Sequence, residues 1–330
     1  MTLVAAYKVD NIPVLISDMA LTKKDMRSLL RKAYIIAPNL AVAWAGHAIV
    51  AKIVIEDMRK VFSCSKPTKD TVEKFFTSYS AEDFGSLHTN FIGWIVDESP
   101  ICFRWNCLYP KELFYDESFV EGSGEGYFEN LRNQNLEEGG SESPPGCQST
   151  FTVINQVARA RFRESLYNSS WDLSFGASYD IFVLEGRCFR FVRSLVYIGW
   201  DYHWDSDKKT GVLQQAPVLM KHNCMGDYSI LQEALHGDHY DRVTINYLAR
   251  PVFDNMPDID LSNFPLTIES DYYANYFIFR EKGKVIFEVF LTIQKITNDG
   301  PLKIEVRDGA YYLHYDTEEL NAIYKKHTTK

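Results

Sequence analysis

The first 46 residues constrain the fold most, because short apolar runs alternate there with residues that favour turns. Residues 2–9 and 13–18 are rich in Val, Ile and Leu and are separated by an Asp-Asn pair, which predicts two strands joined by a turn. Residues 33–37 and 40–45 repeat this pattern around a Pro-Asn pair, in which Pro presets φ and Asn tolerates the left-handed region. We therefore expect two β-hairpins, with the polar residues 19–31 between them as a loop containing a helical turn.

Four residues of this segment together could form an activated nucleophile. Thr2 follows Met1 directly, and Asp18, Lys32 and Gly46 each lie where a predicted strand begins or ends. An N-terminal threonine can be a nucleophile because its own α-amine, with an unperturbed pKa of about 7.7–8.0, can accept the hydroxyl proton. The ammonium group of Lys32 would favour the neutral amine, and the carboxylate of Asp18 would compensate that lysine. The backbone N–H of Gly46, at the start of a predicted helix, would face a developing oxyanion.

The rest of the chain contains both helical and strand patterns. Apolar spacing and helix start signals predict helices over residues 47–62, 68–79, 126–136, 150–168 and 317–326. The apolar face of the first helix is predicted to contain Ile49, Ile53, Val54, Met58 and Val61. Strand patterns dominate from residue 90 to 120 and again after residue 178, with hairpin turns at EKGK and RDGA.

Composition limits the class of protein. The 330 residues are 46% apolar, which is enough for a sizeable core in one large domain with an addition. The net charge of −9 argues against nucleic acid or an anionic membrane as the main partner. The most apolar stretch, residues 40–55, is too short and too polar to span a bilayer, and the N-terminus lacks a signal-peptide pattern. The six cysteines have no paired spacing, so we expect free thiols in a reducing cytoplasm.

In their order along the chain, the four residues resemble the N-terminal half of a proteasome β-subunit, or of the bacterial two-ring heat-shock peptidase of the same family. The matching positions are Thr2, Ser17-Asp18, Lys32 and Ala45-Gly46. Taken singly, Asp18 and Lys32 would be interpreted as solvated residues at strand ends, so the resemblance depends on the ordered set. It implies an α+β fold, the four-layer αββα sandwich of the Ntn hydrolases, in which Thr2, Asp18, Lys32 and Gly46 are catalytic.

The resemblance also assigns roles to residues further along the chain. The glycine-rich turn at 122–126 is similar to the family turn that carries a serine beside the nucleophile, and this serine falls on Ser123. Asp172 matches a family aspartate that supports the nucleophile, whereas Phe175 occupies the position of a family serine. The turn lacks a phosphate-binding glycine pattern, and no cofactor is expected. By the same analogy, the substrate-binding pocket is expected near Ala20, Tyr34 and Ala48.

The resemblance ends near residue 200. We therefore predict a proteasome-like domain over residues 1–200, a linker over 201–216 and a mainly-β extension of unknown role over 217–330. The extension also holds residue types that can bind zinc, namely His222, Cys224, His236, Asp238 and His239. Their spacing fits no zinc pattern, so no metal site is predicted.

Three functions are compatible with these residues. The first is a threonine-type Ntn hydrolase that cleaves peptide bonds after removal of Met1 exposes Thr2. By resemblance, it would form a homo-oligomeric ring, act on peptide or protein substrates and work with an ATP-dependent unfoldase in trans. The second is a non-catalytic scaffold or regulatory subunit, for which Phe175 and the long extension are the reasons. The third is an amidase for small molecules, since the same nucleophile serves both; the ordered set of matches favours the first.

Overall fold

A computed structural model describes residues 2–23, 26–133, 148–167, 178–235, 243–253, 259–262, 264, 267–294, 296, 300–307 and 310–328. The first predicted hairpin is present. Strands β1 (Leu3–Val9) and β2 (Ile12–Asp18) pair antiparallel through a turn in which Asp10 and Asn11 have φ values of 49° and 66°. Two successive residues with positive φ give the turn that matches the twist of a two-residue hairpin, so the Asp-Asn pair sets the strand register.

Residues 19–31 contain two short paired strands where we expected a loop with a helical turn. Strands β3 (Ala20–Lys23) and β4 (Met26–Leu29) pair with each other. Strands β5 (Ala33–Ala37) and β6 (Leu40–Gly46) then form the second predicted hairpin. Backbone pairing defines β3 and β4, and apolar periodicity does not detect strands of this kind.

Helix α1 (Ala48–Phe62) confirms the first predicted helix but buries a different face. Val54 and Met58 are buried as expected, whereas Ile49 and Val61 are 58% and 53% exposed. The buried residues of the helix are Val50, Ala51, Val54, Ile55, Met58 and Phe62. Apolar side chains occur on both faces of this helix, so the helical period alone did not determine which face packs against the sheet.

Helix α2 (Lys69–Ser78) confirms the second predicted helix. It begins after Thr68, whose side chain accepts a hydrogen bond from the Thr71 N–H and so caps the helix. A 3-10 helix, Ala81–Asp83, follows. The next four strands are β7 (Thr89–Val96), β8 (Pro100–Asn106), β9 (Leu113–Asp116) and β10 (Phe119–Gly122).

The second half of the chain is mainly strand. Helices α3 (Glu125–Asn133) and α4 (Gln148–Tyr167) precede ten strands and a last helix. These are β11 (Tyr179–Glu185), β12 (Cys188–Phe191), β13 (Ser194–Asp205), β14 (Thr210–Cys224), β15 (Ser229–Leu235), β16 (Val243–Ala249), β17 (Tyr272–Glu281), β18 (Lys284–Gln294), β19 (Leu302–Arg307), β20 (Ala310–Tyr315) and α5 (Thr317–Thr328). Strands β13 and β14 run through residues 201 and 216, which we predicted as the two ends of the linker, and the division into domains stays a prediction.

Two five-stranded sheets pack face to face around the start of the chain. The first sheet has the order β10-β1-β2-β11-β12, and the second sheet has the order β5-β6-β7-β8-β9. Their facing sides share a core that includes Val4, Leu15, Ala43 and Trp94. Helices α1 and α2 cover the outer side of the second sheet.

A six-stranded sheet packs against helix α4. Its order is β16-β15-β14-β13-β17-β18, and β13 and β17 form its parallel pair. One continuous core contains Val153 and Val157 of α4, Ile16 of the first sheet, and Tyr276 and Phe290 of the six-stranded sheet. Helix α4 therefore lies between two sheets and is not an outer layer of the molecule.

The predicted fold class is consequently wrong. Among the residues that the structure describes, 51% are strand and 23% are helix, and the strands form several sheets that are antiparallel apart from the pair β13–β17. The protein is therefore not a four-layer αββα Ntn-hydrolase sandwich with an additional mainly-β C-terminal region. The physical reason is that the six-stranded sheet and the first sheet bury α4 together, so late and early strands share one core. Alternation of apolar residues identified the late strands but carried no information on what they bury against.

Two expectations from composition concern membranes and cysteines. Among the helices within the described ranges, none has both the length and the apolar character needed to cross a membrane. The cysteines within these ranges are free thiols: Cys64, Cys102, Cys107, Cys188 and Cys224.

Candidate functional site

The carboxylate of Asp18 joins three strand ends in a buried polar contact. Its Oδ1 atom accepts a hydrogen bond from the Leu3 N–H at 2.9 Å and from Lys32 Nζ at 2.6 Å. The side chains of Asp18 and Lys32 are both fully buried. Lys32 Nζ also donates to the Ala20 carbonyl at 2.5 Å, so the amine is held by two acceptors. Asp18 ends β2, Leu3 begins β1 and Lys32 precedes β5, so strand pairing brings the three residues together.

Burial and ion pairing have opposite effects on the pKa of Lys32. Loss of water is the larger influence and lowers the pKa of Lys32 below its usual range, while the charge and the hydrogen bond of Asp18 act to raise it. The 2.6 Å contact fits an ammonium paired with a carboxylate. In this environment Lys32 carries a positive charge that Asp18 compensates, and it releases its proton at a lower pH than an exposed lysine does.

Thr2 lies against the glycine-rich turn that follows β10. Its backbone nitrogen donates to Ser123 Oγ at 3.3 Å, and its carbonyl oxygen accepts from the Gly124 N–H at 3.4 Å. Gly122 has a φ of 104°, and a Cβ at this position would lie 1.9 Å from the Thr2 carbonyl oxygen, so the close approach requires glycine. The Thr2 nitrogen belongs to the peptide bond with Met1; after removal of Met1 it would be the α-amine.

A cavity of about 290 Å³ opens beside Thr2. Its wall consists of Thr2, Ala45, Gly46, His88, Asn90, Glu121, Gly122 and Ser123. Gly46 has a φ of 129°, and a Cβ there would lie 2.3 Å from the His88 carbonyl oxygen. Glycine is therefore required at this position, where β6 ends against β7. Three of the predicted catalytic residues, Thr2, Gly46 and Ser123, thus line one cavity.

A network of polar side chains that we did not predict extends from this cavity. Asn90 Nδ2 donates to Glu121 Oε2 at 2.6 Å, and Asn106 Nδ2 donates to Asn90 Oδ1 at 2.8 Å. Glu121 also pairs with Arg104 at 3.3 Å, and Asn106 Nδ2 lies 3.0 Å from His88 Nε2. All but His88 line a second cavity of about 440 Å³. The sequence signal that could have revealed this network is the alternation of polar and apolar residues in β7 and β8, which places their polar residues on one face of the second sheet.

The remaining predicted site residues occupy different places. Ala20 contacts the site through its carbonyl, and Ala48 is the first residue of α1. Tyr34 is buried, and its hydroxyl bonds to backbone atoms away from the cavity beside Thr2. Asp172 and Phe175 lie outside the described residues. The catalytic and substrate-binding roles of all these residues stay predictions.

The zinc-type residues of the late strands do not form a metal centre in the part of the chain that the structure describes. Within that part, no three His, Cys, Asp or Glu side chains lie together so as to hold a metal ion. His222 instead lies 3.6 Å from Asp180, and burial, with the nearby positive charge of Arg31, lowers the pKa of His222 to about 4 despite that carboxylate. The other three candidates, His236, Asp238 and His239, lie outside the described residues.

Comparison with known proteins does not assign a family. The sequence matches no model of a protein family, and it matches none of the curated proteins. The fold and the site define a mostly-β protein in which a buried Lys–Asp pair lies next to a threonine near the N-terminus. The functional conclusions that follow depend on this geometry.

Proposed function

We propose that the protein is a threonine-type hydrolase that cleaves peptide bonds, with Thr2 as the nucleophile once Met1 has been removed. The observation that carries the proposal is that one carboxylate, Asp18, contacts both Lys32 and the N–H of Leu3, the residue next to Thr2. Asp18 therefore links the buried amine of Lys32 to the backbone next to the proposed nucleophile, Thr2. A buried ion pair is often no more stable than apolar residues of the same size, so its contact with the residue next to Thr2, which lines a cavity, supports a chemical role.

The first step of the proposed reaction is acylation of Thr2. The hydroxyl oxygen of Thr2 bonds to the substrate carbonyl carbon, and the hydroxyl proton passes to the α-amine of the same residue. The positive charge of Lys32 favours the neutral amine before this transfer, and Ser123 Oγ accepts a hydrogen bond from the amine nitrogen. The carbon–nitrogen bond of the substrate then breaks, and the leaving amine takes the proton from the Thr2 ammonium.

The second step is hydrolysis of the resulting ester. A water oxygen bonds to the ester carbon and transfers a proton to the α-amine of Thr2. The bond between that carbon and the Thr2 oxygen breaks, and the oxygen takes the proton back, which regenerates the hydroxyl. In both steps negative charge develops on the carbonyl oxygen, and we assign its stabilisation to the backbone N–H of Gly46, on the cavity wall.

The proposal includes a cellular setting. The substrates are peptides or proteins, and the homo-oligomeric ring and the ATP-dependent unfoldase in trans are proposed from the family resemblance alone. We also propose a cytoplasmic location, which the five free thiols among the described residues support.

Mass spectrometry of the N-terminal peptide tests the proposal, after the protein has been incubated with a peptide epoxyketone. This probe closes a ring only with a nucleophile that carries both a hydroxyl and a neighbouring free amine. We expect Met1 to be missing and Thr2 to carry the adduct. Thr2→Ser keeps both groups and should also form the adduct, whereas Thr2→Ala lacks the hydroxyl and should form none and lose turnover while remaining folded.

Two other results would lead to the competing functions. Retained Met1 with no adduct would contradict the proposal and favour a non-catalytic scaffold or regulatory subunit. An adduct on Thr2 with cleavage of small amides, but not of peptides, would favour the amidase.

A further inference from the structure

The segment that carries Lys32 is paired with a segment more than 200 residues later in the chain. Leu30 forms a parallel bridge with Arg250, and the Arg31 N–H donates to the Arg250 carbonyl at 2.8 Å. The Arg250 N–H in turn donates to the Leu29 carbonyl at 3.4 Å. The backbone immediately before Lys32 is therefore held by the residues that follow β16.

The hydroxyl of Tyr34 completes this contact. It donates to the Arg31 carbonyl at 2.8 Å and accepts from the Val252 N–H at 2.8 Å. Tyr34 is buried, so loss of the hydroxyl would leave both backbone groups without a partner. Because Arg31 and Tyr34 lie on either side of Lys32 in the sequence, the hydroxyl links the late segment to both sides of the lysine.

The side chain of Arg31 enters a buried polar cluster. Its Nε atom pairs with Asp180 Oδ2 at 2.9 Å, with both side chains 1% exposed, and its Nη1 atom donates to the Gly226 carbonyl. Ser229 Oγ donates to Asp180 Oδ1 at 3.3 Å, and His222 Nε2 lies 3.6 Å from the same oxygen. Three of the five members therefore come from β14, β15 and the turn between them, in the six-stranded sheet.

We propose that the late residues described above, from His222 to Ser229 and at Arg250 and Val252, fix the position of Lys32 in the site next to Thr2, with Tyr34, Arg31 and Asp180 as positioning residues. The effect on catalysis rests on the proposed function. Lys32 Nζ has acceptors at 2.6 and 2.5 Å, so a shift of its main chain changes both contacts directly. In enzymes, a misplacement of about 1 Å can reduce turnover about 100-fold. This assigns a role to a part of the chain for which the family resemblance offered none.

Tyr34→Phe tests this positioning because it removes one hydroxyl and nothing else. Tyr273→Phe is a matched control: the Tyr273 hydroxyl also donates to a carbonyl, that of Ile268 at 3.0 Å, and accepts from a backbone N–H, that of Ser270 at 3.0 Å. Both tyrosines are buried, and Tyr273 lies in the six-stranded sheet, away from Lys32. The two variants therefore lose the same kind of bridge at different places.

The first readout does not require enzyme activity. Brief acetylation followed by peptide mass spectrometry gives the rate of modification of Lys32 relative to the exposed Lys60, whose side chain is 73% exposed. We expect Tyr34→Phe to raise this relative rate roughly tenfold or more, because even partial opening exposes an amine that is fully buried in the native protein. Tyr273→Phe should leave the relative rate unchanged.

The second readout is peptide turnover. In Tyr34→Phe we expect kcat to fall roughly 10- to 100-fold with KM unchanged. The acid limb of the pH–rate profile should move to higher pH, because a displaced Lys32 lowers the pKa of the Thr2 amine less. Arg31→Lys, which keeps the charge next to Asp180 but loses the Gly226 contact, is the second variant and should change both readouts in the same direction.

The outcomes separate this inference from the proposed function. Equal acetylation of Lys32 in the native protein and in both test variants would overturn the inference, whatever the activity of the protein. Raised acetylation with unchanged kcat and an unchanged acid limb would also overturn it. A native protein that forms no Thr2 adduct and cleaves no peptide would refute the proposed function, and the acetylation rates would still decide whether the late segment holds Lys32.

Discussion

Replacing Asp18 by Asn would test the buried ion pair on which the site depends. Asp18 Oδ1 lies 2.6 Å from Lys32 Nζ, and both side chains are fully buried. Asn has nearly the same size and can keep an acceptor for the Leu3 N–H, but it removes the charge. Removal of one partner from a buried pair costs about 3–5 kcal/mol, because the other charge is left uncompensated. We expect Asp18→Asn to lower the free energy of unfolding at pH 7 by about this amount.

The loss of stability in Asp18→Asn should depend on pH, because Lys32 changes its protonation state. Asp18→Asn removes the negative charge that opposes the effect of burial, so the pKa of Lys32 falls further in the folded protein. The unfolded chain keeps the lysine proton up to a pH of about 10.4, whereas the folded variant releases it at lower pH. The unfolded state thus binds more protons in this window, and the stability of the variant rises with pH. The deficit should be smaller at about pH 9.5 than at about pH 7.

Urea unfolding at these two pH values, followed by tryptophan fluorescence, measures the effect. The double variant Asp18→Asn with Lys32→Met is the matched control, because it removes both charges and should recover most of the lost stability. A loss below about 1 kcal/mol at pH 7, the range of an exposed pair, would refute the reasoning. A double variant as unstable as the single variant would refute it as well.

Two further predictions concern the turn beside Thr2 and the buried histidine. Gly122→Ala should reduce kcat for peptide cleavage about 100-fold, because the new Cβ would lie 1.9 Å from the Thr2 carbonyl oxygen and must displace Thr2. Gly126→Ala is the control for this kcat measurement, because a Cβ at position 126 would have open space around it. The pKa of His222 is about 4 in the folded protein and about 6.5 in the unfolded chain, so the unfolded chain takes up the proton first. Stability should therefore fall by about 3 kcal/mol as the pH drops from 6.5 to 4, and urea midpoints of His222→Asn should lack this part of the pH dependence; an equal slope in both proteins would contradict the assignment.

The short-range part of the site could be predicted because turns determine strand register. A two-residue turn at Asp10 and Asn11 pairs Val4 with Ser17, and so places Leu3 opposite Asp18. The contact between the Leu3 N–H and Asp18 follows from this register. The requirement for glycine at position 122, beside Thr2, also depends on local structure, namely the tight turn at the end of β10.

The long-range part could not be predicted, because no periodic pattern encodes which distant elements share a core. Arg31 and Asp180 are 149 positions apart. Arg31 is the last residue of a predicted loop and Asp180 lies near the start of a predicted strand, so neither charge stands out in the sequence. Tyr34 was assigned to a substrate pocket by family analogy, but its hydroxyl bonds to the backbone of Val252. The same limitation explains the error in fold class, since the burial of α4 on two sides depends on strands more than 100 residues later.

The pairing of Leu30 with Arg250 sets the earliest point during synthesis at which the site can form completely. Tyr34 and Val252 are separated by 218 positions. At a synthesis rate of about 5–20 residues per second, roughly 10–40 s pass between the addition of these two residues. Throughout this interval the nascent chain already carries Thr2, Asp18 and Lys32, but not the segment that holds the lysine in place. If the protein is the hydrolase proposed above, its full activity on the ribosome would therefore have to wait until four of the six strands of the large sheet, β13 to β16, had been made.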